Sequence, residues 1–199
     1  MATTAPTPLE RRLTGEKEEG VGPVDAFHVA RRRWLAQERI DMGELATELG
    51  ISRATLYRWV GSREQLIGEI IWSLGEVEIA RLRETVRTRG VEGYLELTER
   101  FLGATLANVV LRQFVEAQPE SALRILHSKD GVVQRRLIDV NTELLQELID
   151  GGELETRLDA RDLAFAVVRI GESFSWTDYI TGDQPDASKA AEVIRMLLT

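Results

Sequence analysis

Asp41 to Ile70 reads DMGELATELGISRATLYRWVGSREQLIGEI, and the spacing of its apolar, small and capping residues decides the fold. Met42, Leu45, Ala46 and Leu49 form an apolar stripe at helical spacing, and Gly50 follows where a left-handed residue ends a helix. Ile51 reverses the chain. Ser52 then stands where a side-chain oxygen caps a further short helix, Arg53 to Val60, whose Leu56 and Val60 face inward. Gly61 closes that helix, and Ser62 with Glu64 and Gln65 marks the next N-terminus, with a capping-box partner at the third position. Two short helices joined by a tight glycine turn are the pattern of a helix-turn-helix.

That pattern points to duplex DNA, because the second helix is narrow enough for the major groove while the first braces it across the backbone. Ser52 opens the helix, and Arg53 and Ala54 are the residues that reach base edges: an arginine can donate two parallel hydrogen bonds to guanine, worth about 1–3 kcal/mol of discrimination, and an alanine can touch a thymine methyl. Thr55, Tyr57, Arg58 and Trp59 extend from the exposed flank toward phosphates. Arg63, one residue past the Ser62 cap, adds a cation beside free amides and is expected to hold a phosphate. The bland alternative is a generic corner between two helices, and Arg31 to Arg33 read equally well as a solvated face or as phosphate contacts.

The net charge of −8 over 199 residues argues against a polyanion partner only until its distribution is counted. Val24 to Arg63 carries seven basic residues against five acidic ones, whereas Glu64 to Thr199 carries fifteen against twenty-four. A basic reading head on an acidic body is the pattern this implies. Cysteine is absent and only His28 and His127 could serve as soft ligands, so no metal and no cofactor is expected. No apolar run is long enough to span a membrane, and MATTAPTPLERR has no apolar segment after a basic start, so no membrane partner is expected and the protein is expected in the cytoplasm.

Outward from the motif, residues 1–22 combine Pro6, Pro8, Gly15, Gly20 and Gly22 with aperiodic charge and read as a flexible arm, part of which could order on DNA. A helix follows from Val24 to Gln37, with Val24, Phe27, Ala30, Trp34 and Leu35 on one face. Ser62 to Arg87 reads as one long helix, and further helices are expected over Val91–Glu116, Glu120–Ser128, Val132–Ile149, Ala160–Tyr179 and Ala187–Leu198, broken at Gly90, Pro119, Asp130-Gly131, Gly151-Gly152 and Thr181 to Pro185. No stretch alternates as a strand does. The chain therefore reads as all-α, with about nine helices in two layers. Its three-helix DNA-binding head, 23–65, precedes a larger helical body, 66–199, for ligand binding and dimerisation.

Within the body, apolar stripes are core first, so polar residues set among apolar neighbours are more telling. Asn108, Arg112, His127, Arg169, Glu172 and Asp178 fit that description, and Phe101, Phe174, Trp176 and Tyr179 could line a cavity beside them. Arg169 and Glu172 stand three apart, and a structural ion pair is the reading to beat. His127, near a helix end, is more readily a capping group than a ligand. Ala160–Tyr179 is apolar around much of its circumference, and Ala190, Ala191, Ile194, Met196, Leu197 and Leu198 add small and aliphatic surface, so a symmetric homodimer through these two helices is expected.

The stretch LATELGISRATLYRWVGSREQL resembles the DNA-binding signature of the TetR family, through the apolar residue after Gly50, the Thr-Leu-Tyr triplet and the basic residue before Glu64. The resemblance implies a three-helix head, a ligand-binding helical body, dimerisation through the last two long helices, and repression relieved by a small molecule, here an apolar inducer carrying a polar group. By the same resemblance, Tyr57 and Arg63 match phosphate-contacting positions and Arg53 and Ala54 base-facing ones. Trp59 and Val60 depart from the family's usual residues, and Gly43 stands where some members have a base-reading side chain, which implies less readout from the first helix of the pair. The whole chain, from ERRLTGEKEEG through TLYRWVGSREQLIGEIIWSLGE, further resembles TetR-type repressors of a quorum-quenching lactonase, which implies a lactone-like inducer. Two other functions stay in view. An all-helical enzyme is disfavoured, since the sequence contains no HExxH, CxxC, GxSxG or P-loop. A DNA-binding adaptor without small-molecule control would have a solid body with an exposed apolar patch.

Overall fold

A computed structural model describes residues 7–13, 21–128 and 131–199, and every ordered element among them is helical. Twelve helices follow in chain order: α1 (Pro8–Leu13), α2 (Pro23–Leu35), α3 (Met42–Glu48), α4 (Arg53–Val60), α5 (Arg63–Thr85), α6 (Gly90–Ala107), α7 (Val109–Ala117), α8 (Pro119–His127), α9 (Val132–Asp150), α10 (Ala160–Ser175), α11 (Thr177–Ile180) and α12 (Ala187–Leu198). They form two compact units. One comprises the described residues up to Ser73 together with 113–134, and the other 74–112 with 135–199, so the divisions fall inside α5, α7 and α9.

In the first unit the helix starts are set by side chains that accept from orphan amides. Asp41 accepts from the amides of Gly43 and Glu44 at 2.7 and 3.0 Å, and Ser52 from Thr55 at 3.1 Å. Ser62 and Gln65 form a reciprocal box, Gln65 Oε1 accepting from the Ser62 amide at 2.7 Å and Ser62 Oγ from the Gln65 amide at 3.1 Å. The buried face of α2 is Pro23, Ala26, Phe27, Ala30 and Trp34, while Leu35, expected on that face, is exposed. Leu45, Leu56, Leu66, Ile67 and Ile70 are fully enclosed. Residues 113–134 complete this core: the rings of Trp34 and Phe114 meet edge to face at 4.9 Å, a geometry the ring quadrupoles favour.

The arm expected over 1–22 is helical over part of its length. Thr7 and Glu10 cap each other, Thr7 N donating to Glu10 Oε2 at 2.7 Å and Glu10 N to Thr7 Oγ1 at 3.2 Å, and α1 sinks Leu9 completely into the unit against α2 and α4. Residues 1–6 and 14–20 of that arm, and Asp130 of the expected Asp130-Gly131 break, lie outside the described residues.

The second unit is organised around α6, α10 and α12. Tyr94, Leu95, Leu145, Leu154, Leu163, Ala164, Val167, Ile194 and Leu198 make one contiguous apolar cluster. Two helices expected to be continuous are broken. Asn108 ends α6 at ψ 100 and its Oδ1 accepts from the Leu111 amide at 3.0 Å, starting α7, so a short polar side chain replaces the backbone ladder. Trp176, at φ −119 and ψ 20, likewise separates α10 from α11.

Leu56→Ala empties a site closed on all sides by α4's neighbours. Loss of a buried leucine costs about 2–5 kcal/mol, so urea unfolding of this variant should show a loss in that range. A change below about 1 kcal/mol would mean the site is not packed as described.

Candidate nucleic-acid interface

The corner between α3 and α4 fixes the exposed helix. Gly50 adopts φ +67, a left-handed conformation that costs glycine nothing, and the Ile51 amide donates to Ala46 O at 3.0 Å. Gly61 closes α4 at φ +74. Because Leu56 and Val60 are buried at 0% and 1% exposure, the opposite flank of α4 must face out. Ser52, Arg53, Ala54, Tyr57 and Arg58 are exposed on it, and Thr55 and Trp59 are half-buried. Among the described residues Arg53 and Arg58 have no ion pair, a contrast with Arg32 and Arg33 of α2. Two exposed arginines and a phenol on one narrow helix face make a surface suited to a duplex backbone and groove.

The hydroxyls are partly committed. Ser52 Oγ caps α4 and lies 3.0 Å from Thr55 Oγ1, so the pair orders the first turn of the helix. Arg33 donates to Glu48 at 2.7 Å and to Glu44 at 3.0 Å, joining α2 to α3, and Arg32 reaches Glu48 at 3.3 Å. The Glu48 hydrogen bond holds the Arg33 guanidinium above its ordinary pKa. Arg32 and Arg33, read as a solvated face or as phosphate contacts, pair with carboxylates of α3. Asp41 has its carboxyl held below the ordinary aspartate range, chiefly by the backbone hydrogen bonds at Glu44 and Gly43. An open groove of about 790 Å³ runs past Arg33, Asp41, Gly43, Glu44, Thr47, Glu48, Ile51 and Arg53.

Arg63, expected on a phosphate, also makes contacts inside the first unit. Its Nε donates to Ile40 O at 2.8 Å and its Nη2 to Gln118 Oε1 at 3.0 Å, and burial pulls its pKa down. The side chain ties the segment before α3 to the start of α8 inside the first unit. A guanidinium already holding a backbone carbonyl and an amide acts as an internal brace, which no local spacing reveals because Gln118 is 55 residues away.

The candidate ligand residues divide. Phe101, Asn108, Arg112, Arg169, Glu172, Phe174, Trp176 and Tyr179 belong to the second unit, and His127, the last residue of α8, to the first. Arg112 Nη2 donates to Asp178 Oδ2 at 2.6 Å, its guanidinium stands 5.8 Å from the centre of the Tyr179 ring, and Trp176 packs on Tyr179 at 6.5 Å. The structure therefore gathers Arg112, Trp176, Asp178 and Tyr179 into one cluster. Asp178 Oδ1 is buried and accepts no hydrogen bond among the described residues. Phe101 lies against Gly75, at which an added Cβ would stand 3.8 Å from the ring, and Phe174 is half-buried. Asn108 is the helix break already described, and Arg169 pairs with Glu172 at 2.6 Å along α10, the structural reading of that pair.

A family model described as Tetracyclin repressor-like, C-terminal domain, matches residues 89–199. Among solved structures, the transcriptional repressor QsdR of the TetR family from R. erythropolis is 28% identical, with a TM-score of 0.82 over 88% of this chain and 93% of that one. The TetR family repressor AlkX from Dietzia sp., implicated in n-alkane biodegradation, is 26% identical with a TM-score of 0.56 over 88% of this chain and 90% of that one. No curated protein matches the sequence.

Arg63→Ala strips the Ile40 carbonyl and Gln118 of their donor, and a partly buried group left unsatisfied costs about 1–3 kcal/mol. Thermal unfolding should fall accordingly, with Arg63→Lys recovering only part because a single ammonium lacks the planar fork. Unchanged stability in Arg63→Ala would return the residue to the surface set. At Asp41 the folded pKa is depressed, so its contribution to stability is complete above the ordinary carboxylate pKa and is lost as pH falls through the lower folded value. Asp41→Asn should therefore flatten the acid limb of the stability profile, and an identical acid limb would contradict the cap.

Proposed function

The chain belongs to the TetR family, whose C-terminal model covers more than half of it, and from that premise we propose that it represses transcription by binding operator DNA as a homodimer and is released by a small-molecule inducer. The observation that carries the proposal is the outward face of α4: Arg53, Ala54, Tyr57 and Arg58 exposed on a helix whose inner face is locked by Leu56 and Val60. Arg53 and Ala54 read base edges, and Tyr57, Arg58 and the half-buried Thr55 and Trp59 fix register on phosphates, with Ser52 opening the helix. Residues 23–65 act as the DNA-binding head and 66–199 as the ligand-binding and dimerisation body.

The homodimer forms through α10 and α12. These helices pack on each other within the second unit, yet Phe165 is 53% and Met196 71% exposed, large apolar surface of the kind a symmetric partner covers. The Arg169–Glu172 pair lies along the same helix as Phe165 and supplies polar register at the rim.

The inducer is apolar with a polar group, and the resemblance of the sequence to TetR-type repressors of a quorum-quenching lactonase supports a lactone-like molecule. Arg112 and Asp178 are its polar anchors and Trp176 and Tyr179 its aromatic wall, the combination expected of a small-molecule site in a helical body. Binding there shifts the population toward a dimer whose two recognition helices no longer match half-sites about 34–36 Å apart.

Fluorescence anisotropy of promoter fragments tests the DNA reading. Wild type should bind selectively with strong salt dependence, Arg53→Ala should lose about 1–3 kcal/mol of sequence discrimination, and Arg58→Ala should weaken all sequences alike and lower the salt slope by about one. Salt-insensitive, unselective binding would overturn the proposal. Sedimentation of Phe165→Asp should give a monomer where wild type is a dimer, and a monomeric wild type at micromolar concentration would remove the dimer.

A further inference from the structure

Gly43 occupies the second turn-forming position of α3, with helical backbone and no positive φ, so nothing in its own conformation demands glycine. What demands it is the neighbour. A Cβ built at Gly43 would stand 1.8 Å from Arg53 Nη2 and 2.6 Å from both Cζ and Nε, so the flat guanidinium of Arg53 lies directly on the bare backbone of α3. Both residues line the groove that also holds Asp41 and Glu44, and the Arg53 charge is one of the influences that hold the Asp41 carboxyl low. The guanidinium thus rests on the first helix of the pair at Gly43, although it springs from the second.

We infer that Gly43 is a positioning residue for base readout: the missing side chain makes a notch that sets the direction in which the Arg53 guanidinium leaves α4. The inference rests on the DNA reading of α4 proposed above and deepens it. An arginine with four free torsions covers a wide arc, and one held on a flat seat presents its paired donors in a narrow set of directions, which is what bidentate recognition of a guanine needs. Any side chain at position 43 evicts the head group. The fold tolerates the change, since only the far end of a flexible side chain has to move and alanine is a better helix former than glycine. Gly43 therefore acts through Arg53 and not through DNA contacts of its own.

The test uses the full chain and the duplex that wild type enriches most strongly from a random double-stranded pool, with every single-base-pair variant of that duplex. Gly43→Ala should keep or raise the melting temperature and bind random duplex within about two-fold of wild type, while its discrimination at the base pair read by Arg53 falls by about five-fold or more. In the Arg53→Ala background the same substitution should change nothing, because there is no guanidinium left to seat. Full discrimination in Gly43→Ala, with discrimination lost in Arg53→Ala, would overturn the notch and leave the DNA reading standing. A Gly43→Ala effect of equal size with and without Arg53 would also overturn it, since the seat would then not be the cause. If wild type enriches no sequence at all, the DNA reading fails first and takes the notch with it.

Discussion

The direction in which α4 points depends on one turn, the reversal at Gly50 held between the Asp41 and Ser52 caps. Gly50 takes the left-handed conformation, Ile51 returns a hydrogen bond to Ala46, and Ser52 starts the next helix with its own oxygen. Leu45, Leu56 and Val60 bury the inner angle of that corner almost completely. With the inner face consumed by packing, the outer face is the only place for Arg53, Tyr57 and Arg58, and their exposure is a consequence of the apolar stripe. The ion pairs of Arg33 with Glu44 and Glu48 then hold α3 to α2, and the Arg63 brace holds the approach to α3 against Gln118. Exposed pairs of this kind contribute little individually, so their effect is on orientation more than on stability.

The same logic separates the arginines into two sets that composition cannot distinguish. Arg32 and Arg33 are matched by carboxylates, and Arg63 by a carbonyl and an amide, so their charge or donors are engaged inside the head. Arg53 and Arg58 stand on α4 without ion pairs among the described residues, so in a weakly basic head of seven cations against five acids these two are left to meet a partner. Net charge misleads for this protein because pairing, not counting, decides which charges a polyanion meets.

Much of the fold was legible from local chemistry. Ser52 and Ser62 cap where the sequence pattern places them, α4 has the expected bounds, and the family resemblance read from residues 45–66 agrees with the match of residues 89–199, a separate part of the chain. The misses have physical causes. Asn108 and Trp176 interrupt helices whose apolar periodicity continues across them, because an asparagine cap and an aromatic at a helix end leave no gap in the stripe. Leu9 joins the core from a segment whose prolines, glycines and charge read as arm, since one leucine gives no period to detect. The contacts of Arg63 inside the head and the seating of Arg53 on Gly43 were not legible for a different reason, since both depend on residues brought close only by folding.

The central claim is that α4 itself lies in the groove of a duplex, and photochemical cross-linking reads that contact without mutation. A wild-type-selected duplex carrying 5-iodouracil in place of thymine at each half-site would be irradiated, digested with trypsin and mapped by mass spectrometry. Cleavage after Arg53 and Arg58 isolates Ala54–Arg58, and the account expects the nucleotide on that peptide. Cross-links confined to peptides of the acidic body, with none on residues 54–58, would contradict it.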